Sequence, residues 1–514
     1  MNTQKGKFNF DGFIILEMAN NHQGSVEHGK KIIETFTPII ENAGMTGAIK
    51  FQMRDIDTFI HPDFWSSTEY KHIPRFIETA LNKDQFQELV KDVRDAGLYT
   101  MITPTDETSV DIIDEIGIDV IKVASCSAAD WPLLERIVAT GKPVVASTGG
   151  LSIEQVDNLV SFFKHRGIEF ALMHCVSLYP TPDHKLNLDR IRILDERYPD
   201  ITIGFSTHEN PNNIDAIKIA YAKGARLFER HIGVETDSIK LNAYSSNSKQ
   251  FENWLNSYHS AVGMTGFDKL SLTKGDENEK EELRLQMRGV YAKNDIKQGD
   301  VINKDNIFFS IPLQEGQICS GNFREGLVAD RNYSTRDALD VKIVQHSSTR
   351  KQIVYKAIHD IKGILNTAKV FVNNDSSVTL LHPDGIDNFF EKGLFVIECI
   401  RKHFTKRILV LLSGQSYPKH YHTRREKILQ VLSGVLNISM DKHSRILYPG
   451  DTILVPAGSW HEFHPSKSAV VEEISEVDES NEIKYVNKDF NKKNSKGKET
   501  RLIHWGRHQF DAEP

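Results

Sequence analysis

Residues 202–208 read TIGFSTH, a short apolar run that ends in a histidine. Its length and its polar flanks predict a buried strand, with His208 at the point where the strand gives way to a loop. A similar run, ARLFERHI at 225–232, follows one helical stretch later and carries His231 near its end. A single histidine in such a place is equally a packed or a surface residue. The pattern of the rest of the chain is needed to decide whether His208 and His231 are such residues or act together in a functional site.

Eight runs of this kind lie between residues 12 and 232, separated by amphipathic stretches. Strands buried on both faces lose the alternation of apolar and polar residues, and a helix after each strand is typical of a (β/α)8 barrel. An open doubly wound sheet is the alternative, although no GxGxxG motif follows the first run. The runs are GFIILEM (12–18), GAIKFQM (47–53), LYTMIT (98–103), DVIKVAS (119–125), PVVAST (143–148), FALMHCV (170–176), TIGFSTH (202–208) and ARLFERHI (225–232).

The pattern changes after residue 270. We predict an α/β chain with a TIM barrel at 1–270, a charged linker at 271–285, a small β-rich unit at 286–345, an all-β barrel at 346–476 and a polar C-terminal tail at 477–514. The tail is rich in lysine and is expected to be loosely ordered or draped on the surface.

Composition narrows the class of protein. The 63 basic and 70 acidic residues give a formal net charge of −7, which argues against nucleic-acid binding and against a polybasic membrane patch. The four cysteines are far apart in sequence and are expected to be reduced thiols of a cytoplasmic protein. No signal peptide or membrane-spanning run is predicted.

Polar residues collect where the predicted strands end, which is where TIM barrels carry their chemistry. Lys50 and Lys122 lie inside apolar runs, and a buried ammonium group needs an anionic partner. One alternative is an internal ion pair of Lys50 with Glu17. The other is a phosphate clamp, in which the lysines act with hydroxyls from neighbouring strands. The hydroxyl residues are Thr103, Ser125, Ser147 and Ser206.

His208 and His231 end adjacent strands of the predicted barrel, so their imidazoles are expected to share one divalent ion. Two protein ligands leave positions open for water and substrate, as in a catalytic site. Two histidines alone hold a metal only moderately, so partly hydrated Mn²⁺ or Mg²⁺ is expected rather than tightly bound zinc.

Several motifs, in this order and spacing, resemble those of the sialic acid synthase (NeuB) family. The unit at 286–345 is similar to the antifreeze-like (SAF) domain that is fused to these synthases. The resemblance covers residue 12 to about 250 and is specific as a set. The motifs are EMANNHQGS (17–25), GAIKFQ (47–52), IKVAS (121–125), STGG (147–150), HCVSLYPTP (174–182), GFSTHE (204–209) and FERHIG (228–233).

The resemblance implies an enzyme, a transferase that condenses phosphoenolpyruvate with an open-chain aldose such as an N-acylated hexosamine. The products would be a sialic-acid-like 3-deoxy-2-ulosonic acid and phosphate. By motif, the two lysines and four hydroxyls would bind phosphoenolpyruvate, His208 and His231 would bind the metal, and Glu17 would act as general acid or base. Tyr179 and Asn242 would contact the sugar. Arg288 would reach the barrel of a partner subunit, which implies a homodimer.

This chain departs from the family pattern mainly on the sugar side. Ser127 stands where the family has a glutamate, Asn242 where it has an aspartate and Ser177 where it has an asparagine. Thr207 replaces the aspartate of an SDH motif. These departures favour the same reaction on an aldose other than N-acetylmannosamine. A barrel that has lost synthase activity is the alternative.

A second set of residues resembles the two cupin motifs, GQSYPKHYHTRREKILQVLSG at 414–434 and GDTILVPAGSWHEFHP at 450–465. His420, His422, Glu426 and His461 match the four metal-ligand positions, so a second divalent metal is expected there. One hypothesis for this cupin is an aldose–ketose isomerase or epimerase that supplies the acceptor sugar. The other is a carbohydrate-binding module without turnover, and a metal-free cupin with packed histidines also remains open.

Overall fold

The computed structural model describes residues 8–67, 69–70, 72–266, 276–340, 350–373, 376–441, 443–476, 483–487, 490, 498–502 and 505. The chain divides into two compact units, residues 1–276 and residues 277–514. The first part of the predicted linker, 271–275, lies outside the described residues, as does most of the predicted tail.

The first unit is a closed barrel of eight parallel strands in sequence order, which confirms the predicted TIM barrel. Its register fixes the level of the strand-end residues: Glu17 lies opposite Lys50 on one side and His231 on the other. On the next pair of strands Ser206 lies opposite Glu229. The strands are β1 (Phe13–Ala19), β2 (Thr46–Met53), β3 (Tyr99–Pro104), β4 (Val120–Val123), β5 (Val144–Ser147), β6 (Phe170–His174), β7 (Ile203–Thr207) and β8 (Leu227–His231).

Helices surround this barrel, and side-chain caps define where several of them begin. Asn82, Ser152 and Asn247 each form a capping box with a glutamine three residues later, which satisfies backbone N–H groups at both positions. The helices are α1 (Val26–Asn42), α2 (Ile56–Phe59), α3 (Ile73–Glu78), α4 (Lys83–Asp95), α5 (Glu107–Ile116), α6 (Trp131–Ala139), α7 (Ile153–His165), α8 (Asp189–Arg197), α9 (Asp215–Ala222) and α10 (Ser248–Thr265).

The strands contribute to two apolar clusters. One cluster fills the space inside the barrel and includes Phe13, Ile15, Met101 and Val145. The larger one lies between the strands and the helices. Because each strand is buried on both faces, its sequence is apolar without alternation, as the eight runs predicted.

The second unit begins with a helix in the predicted linker, and two small antiparallel sheets follow it in the predicted SAF-like region. Strand β9 pairs with β11 and β10 pairs with β12, around an apolar core that contains Tyr333. The elements are α11 (Glu277–Gln286), β9 (Gly289–Ala292), β10 (Val301–Ile302), β11 (Ile307–Ser310) and β12 (Leu327–Val328).

The all-β part of the second unit consists of a seven-stranded and a five-stranded antiparallel sheet, as expected for a cupin. Helix α12 (Arg350–Thr367) precedes them and packs its buried face into the same core as β13 and β14. The strands are β13 (Ser377–Leu381), β14 (Leu394–Arg401), β15 (Phe404–Leu411), β16 (Tyr417–His422), β17 (Lys427–Ser433), β18 (Leu436–Met440), β19 (His443–Leu447), β20 (Thr452–Val455), β21 (His461–Pro465), β22 (Ala469–Glu476), β23 (Ile483–Tyr485) and β24 (Glu499–Leu502).

Two short strands lie within the segment that the sequence predicts as a polar tail. Strand β23 pairs with β16, and β24 pairs with β13. Trp505 is 2% exposed and belongs to the apolar core of the cupin. Among the described residues, no helix is long and apolar enough to cross a membrane.

Candidate active site and metal centres

A cavity of about 1250 Å³ opens at the carboxyl ends of the barrel strands. Its lining includes every barrel residue to which the sequence motifs assign a role with phosphoenolpyruvate, metal or sugar. These residues are Glu17, Lys50, Thr103, Lys122, Ser125, Ser147, Tyr179, Ser206, His208, His231 and Asn242.

Four charged side chains form an ion-pair group at the floor of this cavity: Glu17, Lys50, Lys122 and Glu229. The Lys50 Nζ pairs with Glu17 and lies 3.1 Å from Glu229 Oε2. The Lys122 Nζ lies 3.0 Å from the same Glu229 oxygen. All four residues are at most 3% exposed. The Lys50–Glu17 pair considered as an alternative is therefore present, and it lies in the wall of an open cavity.

Burial and the mutual attraction of these four side chains shift their pKa values. Burial raises the pKa of Glu17 above the usual glutamate value, because the attraction of Lys50 only partly offsets the loss of hydration. Burial acts on Glu229 in the same direction, but Lys122 and Lys50 together hold its pKa well below the usual value. Burial lowers the pKa of Lys122, whereas Glu17 and Glu229 overcome burial at Lys50 and raise its pKa. Glu17 is thus the carboxyl of the group that takes a proton most readily.

The predicted hydroxyl residues line the cavity around the ion-pair group. The Ser206 hydroxyl donates to Glu229 Oε1 at 2.8 Å. The Ser125 Oγ accepts from the backbone N–H of Gly149 at 3.0 Å, and a Cβ at Gly149 would lie 2.8 Å from that oxygen. The buried Thr103 Oγ1 has no hydrogen-bond partner among the described residues. A hydroxyl left in this state inside a polar cavity favours a bound ligand.

His208 and His231 lie together, with ring centroids 5.3 Å apart. The His208 Nδ1 donates to the carbonyl of Val176 at 3.0 Å, which leaves Nε2 as its lone-pair nitrogen. Burial lowers the pKa of His208 to about 4, and burial together with His208 holds the pKa of His231 well below the usual histidine value. Both rings are therefore neutral at pH 7 and fit as two nitrogen ligands of a divalent ion.

The residues predicted to contact the sugar differ in their surroundings. The Tyr179 ring packs on His208 with a centroid distance of 4.4 Å and is 56% exposed toward the cavity mouth. The Asn242 Oδ1 accepts from the backbone N–H groups of Tyr244 and Ser245, so its amide NH₂ is the part left for a ligand. Arg288 belongs to the second unit, where its guanidinium lies 5.9 Å from the Phe309 ring centroid.

Several residues of the cavity were given no role by the sequence motifs. Glu229 was recognisable only as a polar strand-end residue, although it links both lysines. Tyr244 packs edge-on against His231 at 5.0 Å, and Arg54 and Arg75 line the same cavity. Tyr244 and Arg54 lie in loops and Arg75 lies on the short helix α3, and none of these segments has a hydrophobic period long enough to indicate which way a side chain points.

The cupin gathers three of its four predicted ligands. His420, His422 and His461 are buried, and one ligand atom from each lies within 4.8 Å of the others. The Nδ1 atoms of His420 and His461 donate to the carbonyls of Pro418 and Ser459, so their Nε2 atoms carry the lone pairs.

Glu426 does not join this group, and the prediction that it is the fourth ligand is wrong for this structure. It is exposed, whereas Arg425 and Lys427 on either side of it are 4% and 3% exposed. The Lys427 Nζ lies 3.3 Å from His422 Nε2, and Arg425 Nη2 lies 2.9 Å from His422 Nδ1. Buried cations thus surround the place where the motif puts a carboxylate. Glu473 offsets part of this charge by pairing with Arg407 and Lys427.

The buried cations also act on the cupin histidines. Burial, followed by Lys427, lowers the pKa of His461 to about 2 and holds that of His422 far below its usual value. Burial and the neighbouring His461 do the same to His420. The three rings are neutral and fit a divalent ion as ligands, but the adjacent positive charges weaken the attraction of the site for a cation.

Comparisons with known proteins agree with both halves of this description. Residues 39–268 match the NeuB family, and residues 407–472 match the cupin domain. The chain is 40% identical to a spore coat polysaccharide biosynthesis protein E from Chromobacterium violaceum ATCC 12472, whose crystal structure superimposes with a TM-score of 0.63. That match covers 65% of this chain and 100% of the other.

Several curated relatives are named as synthases, and two of them represent the range. The N-acetylneuraminate-9-phosphate synthase of Drosophila melanogaster is 31% identical over 241 residues, which is 45% of this chain and 62% of the relative. The N,N'-diacetyllegionaminic acid synthase of Campylobacter jejuni is 24% identical over 345 residues, or 62% of this chain and 96% of the relative.

Proposed function

The chain belongs to the NeuB family, and from this membership we propose that its barrel condenses phosphoenolpyruvate with an open-chain aldose. The products are a nonulosonic-type 3-deoxy-2-keto acid and inorganic phosphate. The names of the relatives support a sialic-acid-like product. The changes on the sugar side, such as Asn242, support an aldose other than N-acetylmannosamine.

The observation that carries this proposal is the joint placement of two ammonium groups and two neutral imidazoles in one cavity. Lys50 and Lys122 supply positive charge for an anionic substrate, and His208 and His231 lie in the same wall. Each ammonium carries three N–H donors, so both keep a donor for a ligand while they pair with the glutamates. The buried Thr103 hydroxyl and the hydroxyls of the neighbouring strands supply the remaining donors.

The imidazoles of His208 and His231 would hold Mn²⁺ or Mg²⁺, which when bound supplies Lewis acidity toward the carbonyl oxygen of the acceptor. Their depressed pKa values keep both rings free of protons at neutral pH. Tyr179, which packs on His208, would orient the sugar chain beside them.

Glu17 is the general acid or base of this proposal, since its raised pKa makes it the carboxyl of the ion-pair group that binds a proton most readily. Its Oε1 accepts from the Ala19 N–H at 2.8 Å, which fixes the carboxyl beside Lys50.

In the reaction, C3 of phosphoenolpyruvate bonds to the aldehyde carbon and the aldehyde oxygen takes up a proton. Water then adds at C2 with loss of a proton, and the bond from C2 to the phosphate oxygen breaks.

The proposal also includes a homodimer in which Arg288 of one subunit contributes to the barrel site of the other. By its match to the family motif, Arg288 would contact an acyl-amino group in the barrel of a partner subunit of a homodimer. Arg288→Ala should then impair turnover only of acceptors that carry such a group. Turnover of plain aldoses by the same variant is the internal control.

The test of the barrel function is phosphate release from phosphoenolpyruvate with Mn²⁺ across four- to six-carbon aldoses, with and without 2-acylamino groups. We expect release with a subset of these sugars and none without an aldose. Absence of aldose-dependent release across the whole panel would remove the proposal.

The three buried histidines support a second function in the cupin, either aldose isomerisation or epimerisation or the binding of a sugar. The discriminating experiment incubates the full-length His208→Ala variant with aldoses in D₂O. Exchange of the C2 proton would support catalysis by the cupin. Its absence with Mn²⁺, Zn²⁺, Ni²⁺ and Fe²⁺ would support a binding module.

A further inference from the structure

Two arginines at the mouth of the barrel cavity are held by neutral partners. The Arg54 Nη2 donates to Gln52 Oε1 at 2.7 Å, and its guanidinium lies 4.1 Å from the Phe76 ring centroid. The Arg75 Nη1 donates to Gln23 Oε1 at 2.7 Å. Both arginines line the cavity and are half-buried.

Asn20 joins the two guanidinium groups into one patch. Its side-chain oxygen accepts from Arg54 at 3.5 Å, and its backbone carbonyl accepts from Arg75 at 3.3 Å. Among the described residues, neither arginine forms an ion pair with a carboxylate. Burial lowers the pKa of Arg54 only to about 10, so it stays charged at pH 7.

This patch contrasts with the floor of the same cavity, where each lysine faces a glutamate. The floor residues belong to strands, whereas Arg54 follows β2 and Arg75 lies on α3, one loop above the strand ends. Lys240, on the loop after β8, adds a third positive charge to the cavity lining. Glu17 and Asp106 attract Arg54 only from beyond ion-pair distance. Both guanidinium groups can therefore accept an anionic ligand, because charge-assisted hydrogen bonds to phosphate or carboxylate are strong.

We propose that the acceptor aldose carries an anionic group, a phosphate ester or a carboxylate, that Arg54 and Arg75 bind. This inference rests on the proposed condensation and names its substrate class. In the proposed condensation the negative charges of phosphoenolpyruvate are bound by Lys50 and Lys122. The arginines are therefore left to bind a second anionic group, that of the acceptor. They are specificity residues and take no part in bond formation.

The first test compares kcat/KM for matched acceptors at saturating phosphoenolpyruvate. The pairs are N-acetylmannosamine with its 6-phosphate, D-arabinose with its 5-phosphate, and D-mannose with D-mannuronate. We expect the charged member of at least one pair to be favoured by about tenfold or more. Preference for a phosphate ester identifies one source of the anion, and preference for mannuronate identifies the other. Equal use of neutral and charged members in every pair would overturn the inference while leaving the condensation intact.

The second test does not depend on turnover. Calorimetry in the presence of phosphoenolpyruvate measures the affinity of three ligands that lack the aldehyde and cannot react. These are sorbitol, D-sorbitol 6-phosphate and the analogue of sorbitol with a carboxylate at C6. Arg75→Gln and Arg54→Gln should each reduce the preference for the charged ligand about tenfold. Arg75→Lys should keep part of this preference. The control variant Arg192→Gln, on an exposed helix, should bind both ligands as the wild type does. Loss of phosphoenolpyruvate affinity in Arg75→Gln with an unchanged charge preference would show that the patch serves the other substrate and would contradict the inference.

Discussion

The two histidines of the barrel site lie beside an ion-pair group in which the carboxylates Glu17 and Glu229 balance two lysines, whereas the three histidines of the cupin lie beside Arg425 and Lys427. Both sets of rings are buried and neutral, and the cupin has one more of them. The difference lies in the charge around them. A cation gains attraction from nearby carboxylates and loses it near ammonium and guanidinium groups, so the number of imidazoles alone does not rank the two sites.

The largest expected effect separates the chemistry of the two regions. His208→Ala should lower the rate of aldose-dependent phosphate release about 1000-fold, because it removes one of two protein ligands from the proposed catalytic ion. His420→Ala in the cupin should leave this rate unchanged. His184→Ala, on an exposed turn after β6, is the matched control. An equal loss of phosphate release in His208→Ala and His420→Ala would contradict the assignment of this reaction to the barrel alone.

The next effect concerns the stability of the barrel floor. Lys122→Met leaves Glu229 with Lys50 as its remaining cation, and breaking a buried pair from one side costs about 3 kcal/mol of unfolding free energy. The thermal midpoint of the barrel should fall accordingly. Lys142→Met, which breaks a partly exposed pair with Asp114, should cost less than about 1 kcal/mol. Similar midpoints for both variants would mean that the floor ion pairs contribute little to stability.

A histidine outside either proposed metal site tests how burial beside cations acts on an imidazole. Burial, and then Arg75, lowers the pKa of His22 to about 4, below the value of about 6.5 in the unfolded chain. The unfolded state therefore binds the extra proton, and stability is lost as the pH falls below 6.5. Between pH 7 and pH 5 the contribution amounts to about 2 kcal/mol.

His22→Asn keeps an acceptor for the Gly24 N–H and removes the titrating ring. The fall in thermal midpoint between pH 7 and pH 5 should be smaller in this variant than in the wild type. An identical fall in both proteins would show that His22 is protonated in the folded state at pH 5.

The smallest expected effect tests the cupin directly. Lys427→Met removes a positive charge next to His422 and should raise the Mn²⁺ affinity of the three-histidine site about tenfold. Equilibrium dialysis in a His208→Ala background isolates this site from the barrel. Lys406→Met, whose ammonium pairs with Glu472 away from the histidines, is the control. Unchanged or weaker binding in Lys427→Met would show that the lysine does not oppose the metal.

The barrel was readable from sequence because its strands are buried on both faces and so appear as apolar runs. The same runs carry Lys50 and Lys122 in their interior and His208 and His231 near their ends, and strand register places Lys50 and His231 on either side of Glu17. The role of Glu229 was not readable, since its contacts with both lysines join strands far apart in the chain. Arg75 lies on α3, a helix of six residues in the long connection after β2, which is too short for a periodic pattern to predict the orientation of its side chains.

The cupin shows where sequence motifs stop being sufficient. The spacing of the motif selects Glu426, but the alternation of β17 turns Lys427 inward, because the turn before the strand sets its phase. The polar sequence of 499–502 gives no sign of a strand, and β24 forms because β13 offers a free edge with which its backbone pairs. Long-range pairing of this kind is absent from any local pattern.

The most direct test of the barrel chemistry follows the bridging oxygen of phosphoenolpyruvate. Substrate labelled with oxygen-18 between C2 and phosphorus is incubated with the chain, Mn²⁺ and an accepted aldose, and the products are analysed by mass spectrometry. We expect the label to leave in the phosphate and the organic product to contain the carbons of the aldose plus three. Release of unlabelled phosphate together with pyruvate would contradict it, because the barrel would then be hydrolysing phosphoenolpyruvate rather than joining it to a sugar.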